Sequence, residues 1–251
     1  MCKSSKCGFV AVVPVFNPEP GLVELAGLLA QAFEKVVVVD DGSVEHSEDF
    51  ARLPREVALV RHECNKGKGR AMKTAVQWVK DCHKDAQGVV FVDGDGQHCV
   101  EDVLKVARAA GEKGQVAFGV RDFSKAGIPL RSRFGNIVTS FLVRWLYGFR
   151  IFDTQTGLRA IPSRLLDVML EIPGERYEYE MRLFGVLHDR KEPICQVPID
   201  TIYIENNKAS HFRPIADSLR VYNGLFGHAL PSPAKMLRGK ENGRGNCKTS
   251  F

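Results

Sequence analysis

The sequence reads as an α/β protein with a mostly parallel central sheet flanked by helices. That reading rests on three features. Short unbroken apolar runs, rich in valine, recur through the first half of the chain; stretches of helical periodicity alternate with them; and clusters of aspartate, glycine and asparagine follow the ends of the runs. Strands buried on both faces lose the polar alternation of half-exposed ones, so unbroken runs separated by helices belong to a two-sided parallel sheet. Open sheets of this kind take ligands in the crevice beyond the carboxyl ends of their strands, where the polar clusters fall.

In chain order, Phe9 to Val13 is a strand ended by Pro14, and Lys35 to Val39 a second ended by Asp40-Asp41-Gly42-Ser43. Between them, Gly21 to Phe33 sets Leu22, Leu25, Leu28, Leu29 and Phe33 on one helical face, completing a right-handed strand–helix–strand unit. Val57 to Arg61 is a third strand, Lys68 to Asp81 a helix, and Gly88 to Val92 a strand stopping at Asp93. Val100 to Lys113 is helical and Val116 to Val120 a strand. A basic loop, Arg121 to Arg133, then leads into an amphipathic helix on which Phe134, Ile137, Val138, Phe141, Leu142, Trp145 and Leu146 form one stripe. Ile194 to Ile204 is a late strand or hairpin, and Pro214 to Phe226 a last helix with proline in its first turn. The chain therefore divides into one domain over residues 7–228 and a basic, disordered tail over 229–251.

Composition excludes several classes of function. With 251 residues, 44% hydrophobic and 26% charged, the chain is neither disordered nor a disulfide scaffold. The net charge of +5 lies mostly at the end, where Lys235, Arg238, Lys240, Arg244 and Lys248 face Glu241 alone. A basic tail on a nearly neutral body is no nucleic-acid footprint; it suits an anionic surface or a solvated end. The seven cysteines are odd in number and form no CxxC pair, as expected of reduced thiols in the cytoplasm, and Met1 leads into a strand pattern without a signal peptide. No apolar run approaches the roughly 18 residues of a membrane span.

The segment Asp93-Gly94-Asp95-Gly96-Gln97 carries the most chemistry. Two carboxylates at i and i+2 on a strand end, with a carboxamide beside them, can turn toward one Mg²⁺ or Mn²⁺ whose other positions go to water and phosphate oxygens. The same residues also make an ordinary tight turn. Asn65-Lys66-Gly67-Lys68-Gly69-Arg70-Ala71 opens a helix, where glycines admit a ligand to the backbone and the helix N-terminus favours phosphate. Neither a GxxxxGK[ST] loop nor a GxGxxG after the first strand is present, which disfavours P-loop NTPases and nucleotide-dependent dehydrogenases. The cysteines read as structural, Cys99 included, since a hard cation does not choose thiolate.

These motifs, in this order, resemble glycosyltransferase family 2, of GT-A nucleotide-diphospho-sugar transferase fold. The resemblance runs from about Phe9 to Tyr222 through Pro14-Val15-Phe16-Asn17, Asp40-Asp41-Gly42-Ser43, Asn65 to Ala71, Asp93 to Gln97 and Gly119-Val120-Arg121. Asp153-Thr154-Gln155-Thr156-Gly157-Leu158-Arg159 and Asn206 to Pro214 are similar to the later motifs of its dolichyl-phosphate mannose synthase and polyprenyl-phosphate glycosyltransferase branch. The resemblance implies transfer of a hexose from a UDP-glucose or GDP-mannose type donor, with inversion, to a polyprenyl phosphate. Residue by residue, it implies that Pro14, Phe16, Asp40 and Asp41 hold the nucleoside, that Asp93, Asp95 and Gln97 hold the metal, and that Asp95, Arg121 and Arg133 are catalytic. Lys68, Arg131 and Gln155 join the substrate-binding set, and Ser210, His211 and Arg213 close over phosphate. Pro18 stands where the family usually has an acidic residue, and the membrane spans many relatives carry after the last motif are not found.

A lipid phosphate acceptor is already ionised and needs gathered cations rather than a base, for which Arg121, Lys125, Arg131 and Arg133 are suited. A hydroxyl acceptor would need one, and Glu178 or Glu180 would supply it unless they are a solvated helix face. A third alternative is a non-catalytic nucleotide-sugar-binding subunit. The Phe134 to Leu146 helix packs on the sheet as core or lies on a bilayer flanked by Arg133, Arg144 and Arg150. His211 is a structural histidine or part of a phosphate lid. The expected partners are the nucleotide-sugar donor, the polyprenyl-phosphate acceptor and a membrane surface or an integral-membrane partner; the expected place is cytoplasmic, peripheral at the inner face of the membrane.

Overall fold

The structure, a computed structural model, describes residues 6–121, 130–200, 222 and 224–227, and of 130–134 the backbone alone. Seven strands, β1 (Cys7–Val15), β2 (Phe33–Asp40), β3 (Val57–Arg61), β4 (Gly88–Phe91), β5 (Val116–Arg121), β6 (Arg159–Pro162) and β7 (Ile194–Ile199), form one sheet in the order β3-β2-β1-β4-β6-β5-β7. Every pairing is parallel except those of β6, which runs antiparallel between β4 and β5. Among the described residues it is covered by α1 (Leu22–Ala32), α2 (Lys68–Cys82), α3 (Val100–Lys113), α4 (Leu130–Tyr147), α5 (Leu166–Glu171) and α6 (Glu178–Asp189).

Alternation along β1 builds two cores. Phe9, Ala11, Val13 and Val15 point into the layer holding Leu22, Leu25 and Leu29 of α1 and Val103, Val106 and Ala110 of α3. Val10 and Val12 point the other way, toward Met72, Val76 and Val79 of α2 and Tyr179, Leu183 and Phe184 of α6. A strand whose two faces are both covered must be apolar at every position, which accounts for its unbroken run. The chain moves outward from β1 to β2 and β3, then returns to the other side of β1 with β4. The switch point therefore lies between β1 and β4, and the crevice beyond their carboxyl ends is where this topology places a ligand.

Two sequence expectations change here. Strand β6 falls in a stretch read only as a motif, and it is antiparallel. Helix α4 is longer than its apolar stripe and packs as a core helix in part: Ile137, Phe141 and Trp145 are 58%, 66% and 68% exposed, whereas Asn136 and Thr139 are buried. Val143 and Tyr147 enter the core, with Leu142 and Leu146 packed against it. Asn136 and Thr139 are buried against the loop beneath, described below, whose polar groups they match. The expected side chains of Lys125, Arg131, Arg133, Ser210, His211 and Arg213, most of the helix from Pro214 to Phe226, the end of the late strand and the tail from 229 to 251 lie outside the described residues.

Candidate active site

Asp93 and Asp95 project just beyond β4 at the switch point, half-buried, with Gln97 on the same turn. Gln97 N–H donates to Asp95 Oδ1 at 3.1 Å, which holds the turn closed. Lys68 Nζ lies 2.8 Å from Asp93 Oδ1. Burial opposes ionisation of Asp93, but the Lys68 ammonium overrides it and holds the carboxyl down to about 2. Asp95 is pushed the other way, by burial and by the neighbouring Asp93 charge. The two carboxylates thus oppose one another's ionisation, and Lys68 settles the charge on Asp93. His98, next along, is buried with its Nδ1 unpartnered among the described residues; only its position beside the acidic pair could have drawn attention to it in the sequence.

Behind Asp93 lies a charged cluster that sequence reasoning missed. Glu180 is 6% exposed and pairs with Arg159 Nη2 at 2.9 Å and Lys68 Nζ at 3.4 Å. Arg159, at the start of β6, is 1% exposed, donates to Thr156 O and sits over the Phe118 ring. Glu180 is thus no solvated helix face, as one reading had it, and two cations occupy its carboxylate. Glu178 accepts the Glu175 and Arg176 N–H groups at the start of α6, and those bonds outweigh burial and hold its carboxyl below the usual range. Both of those bonds go to Glu178 Oε1; its Oε2 is buried without a hydrogen-bond partner among the described residues. Gly157 closes the arrangement: a Cβ there would stand 1.9 Å from Asp93 Oδ2.

The β2 end is committed to the protein's own loops. Asp41, 2% exposed, accepts from Lys66 N–H at 2.9 Å, Gly67 N–H at 2.7 Å and His62 Nδ1 at 2.7 Å, and His62 Nε2 meets Thr74 Oγ1. Asp40 pairs with Arg61 at 2.9 Å and accepts from Ser43 N–H. Asn17, at φ 53°, accepts from Val44 and Glu45 N–H and so zips the end of β1 to the loop after β2, with Pro14 and Phe16 half-buried beside it. The glycines of the 65–71 segment do not open space for a ligand, as the sequence had suggested. Gly67 and Gly69 admit the chain's own Glu175 and Tyr179, whose atoms would lie 2.4 and 2.6 Å from an added Cβ. Arg70 N–H at the α2 N-terminus already donates to Glu175 O at 2.9 Å, and Arg70 and Lys73 both pair with the Glu175 carboxylate.

Arg121 ends β5 against a fully buried partner: its Nε lies 2.6 Å and its Nη2 3.2 Å from the two oxygens of Asp153. This two-pronged contact fixes the guanidinium plane at the carboxyl end of β5. The loop carrying Asp153 is tied to α4. Asn136 accepts from Thr154 N–H at 3.0 Å and donates to Phe152 O at 2.7 Å, and Thr139 and Thr154 share a hydroxyl bond at 2.7 Å. Gln155 is exposed, next to Gly135 of α4. No helix among the described residues is long and apolar enough to cross a membrane.

Comparison with known proteins meets this geometry. A protein of Methanocaldococcus jannaschii without an assigned role is 32% identical over 77% of this chain and 81% of its own length. UDP-N-acetylglucosamine–dolichyl-phosphate N-acetylglucosaminyltransferase of Methanococcus voltae is 28% identical over 79% of this chain and 87% of its own. The solved structure of 4-diphosphocytidyl-2C-methyl-D-erythritol synthase aligns over 84% of this chain and 98% of its own with a TM-score of 0.48 at 11% identity. Residues 10–167 match the profile of the glycosyl transferase family 2, and with its mixed sheet of GT-A α/β type the chain belongs to that family.

Proposed function

We propose that the chain transfers a hexose or N-acetylhexosamine, with inversion, from a nucleoside-diphosphate sugar to a polyprenyl or dolichyl phosphate at the cytoplasmic face of a membrane. One observation carries the reading: the acidic pair Asp93/Asp95 stands at the switch point with Lys68 against Asp93, while the carboxylate of Glu180 is taken up by Arg159 and Lys68. The family supports glycosyl transfer, and the name of the Methanococcus voltae relative supports both a UDP-sugar donor and the lipid phosphate.

A phosphate nucleophile is ionised near neutral pH, so attack on the anomeric carbon needs no proton removed. The reacting sugar passes through an oxocarbenium-like state while the diphosphate leaves. Asp93, Asp95 and Gln97 fit a hard divalent ion, Mg²⁺ or Mn²⁺, that keeps diphosphate oxygens and water as its other ligands; such an ion would supply charge neutralisation on the leaving group. Lys68 adds a positive charge on the same side. Arg121, held flat by Asp153, would meet the acceptor phosphate in two-pronged fashion. Pro14, Phe16 and Asp40 would line the nucleoside, and Asp41 would act at one remove, by fixing the 65–67 loop.

Transfer of label from UDP- and GDP-sugars into extracted polyprenyl phosphate, followed by mass spectrometry, tests the reading. Product is expected with one donor class, and Asp95→Ala or EDTA should lower its formation at least a hundredfold with the circular dichroism unchanged. Transfer to a soluble hydroxyl acceptor only, or full activity of Asp95→Ala in EDTA, would refute it.

A further inference from the structure

Helix α4 leaves an apolar stripe in the open. Its inner side carries Asn136 and Thr139, buried and hydrogen-bonded to the loop at Phe152 and Thr154, and Val143 and Tyr147, which enter the core. Its apolar side carries Ile137, Phe141 and Trp145 at i, i+4 and i+8, each more than half exposed, with Val138, Leu142 and Leu146 half-buried along the edges. Phe152 joins them at 66% exposure, brought next to α4 by the Asn136 bond. These four are among the few large apolar side chains the described surface exposes, and they fall together. A hydrogen-bonded underside explains how the helix stays folded onto the domain while its apolar side faces outward.

We propose that this stripe is the surface by which the protein rests on an anionic lipid bilayer. Ile137, Phe141, Trp145 and Phe152 enter the boundary between headgroups and acyl chains, with α4 lying in the membrane plane. The charge around the stripe selects that occupant. From Leu130 to Phe152 the sequence has four arginines and no acidic residue. Of these, Arg144 and Arg150 are exposed next to the stripe, where anionic headgroups would meet them. Indole and phenyl rings flanked by arginine are the composition of an interfacial helix, and the stripe from Ile137 to Trp145 extends about 12 Å along the axis, enough for an in-plane contact. Through Phe152 the stripe adjoins the loop that begins with Asp153. The loop under α4 holds Asp153, which orients Arg121, and Gly157, which abuts Asp93. A bilayer against the outer side of α4 would therefore touch this loop at Phe152, and the inference gains its purpose from the lipid-phosphate reading on which it rests.

The chain has two tryptophans, Trp78 and Trp145, so a Trp78→Phe background makes the emission report on α4. The full-length protein is mixed with vesicles of equimolar phosphatidylglycerol and phosphatidylcholine, with and without bromine on the acyl chains, and with pure phosphatidylcholine. The expected results are a blue shift and bromine quenching of Trp145 on the anionic vesicles, and at least a tenfold loss of cosedimentation in Phe141→Ser/Trp145→Ser. That double variant should still transfer sugar to a short, water-soluble prenyl phosphate at the parent rate. Absence of quenching overturns the proposal, as does unchanged vesicle binding by the double variant. So does a self-associated protein that falls to monomer on the double substitution and ignores vesicles, which would assign the stripe to a second copy. Transfer to the short phosphate without vesicle binding would sink this surface and spare the function; vesicle binding without transfer to any prenyl phosphate would do the reverse.

Discussion

Gly157→Ala should disable the active site without unfolding the protein. The backbone at Gly157 lies outside the left-handed region, so alanine meets no conformational penalty there, and its effect is steric. The new Cβ would lie 1.9 Å from Asp93 Oδ2 and 2.2 Å from Asp93 Oδ1. Restoring ordinary contact requires the carboxylate to retreat by about 1.5 Å. Asp93 cannot retreat that far and keep its 2.8 Å bond to Lys68. A charge-assisted hydrogen bond of this kind contributes about 1.5–3 kcal/mol. Misplacing a positioned group by about 1 Å costs roughly a hundredfold in rate, or about 2.7 kcal/mol of transition-state stabilisation. The expected result is a fall in kcat/KM of about a hundredfold, a weaker Mn²⁺ affinity by titration calorimetry, and an unchanged circular dichroism spectrum. Gly27→Ala is the control, since its Cβ would meet nothing nearer than Pro54 at 3.8 Å in the interior of α1; it should leave activity alone and raise stability by about 0.5–1 kcal/mol. A Gly157→Ala enzyme with kcat/KM within twofold of the parent would refute the packing argument.

Two further outcomes follow from the buried charges. Arg159→Met leaves the 6%-exposed Glu180 without its 2.9 Å partner and should cost about 3–5 kcal/mol in urea unfolding, whereas Arg159→Met/Glu180→Leu should recover at least half of that. Asp102 is buried, which by itself raises its carboxyl, yet the Lys105 ammonium at 2.7 Å and the Asp200 N–H at 2.8 Å hold it below the usual value. A carboxyl lowered in the folded state stabilises it above the unfolded value near pH 4 and loses that contribution as pH falls through the folded one. Asp102→Asn should therefore be less stable than the parent at pH 7, and the gap should narrow below pH 4 in thermal melts.

The parallel half of the sheet was legible because burial on both sides leaves an unmistakable mark. β3 and α3 fall where periodicity put them, and β1, β2, β4, β5 and α2 differ by one or two residues at their ends. β6 was not legible. Its four residues begin with arginine and end with proline, and its arginine is buried by an ion pair with a helix that starts nineteen residues later. Periodicity reports that α4 has an apolar stripe but is silent on which medium the stripe faces; that was decided by Asn136 finding backbone partners underneath, Thr139 meeting the Thr154 hydroxyl, and Val143 and Tyr147 entering the core. The acidic pair was read correctly as a unit at a strand end, and its backing was not. Lys68 read as a ligand for phosphate, but Glu180 and Asp93, distant in sequence, already share its charge.

The segment between β5 and β6 leaves and re-enters the sheet through one narrow neck. Gly119 N–H donates to Leu158 O at 2.9 Å, and Arg121 grips Asp153 just above. The described part of this connection is fastened along its length as well. Val143, Tyr147 and Ile151 enter the core, His188 of α6 meets Tyr147 O at 2.9 Å, and Gln196 of β7 holds both Arg150 O and Phe152 N–H. A segment stitched at so many points moves with the domain rather than as a flap. Any exchange of α4 between related proteins would have to bring its partners on α6 and β7 along with it.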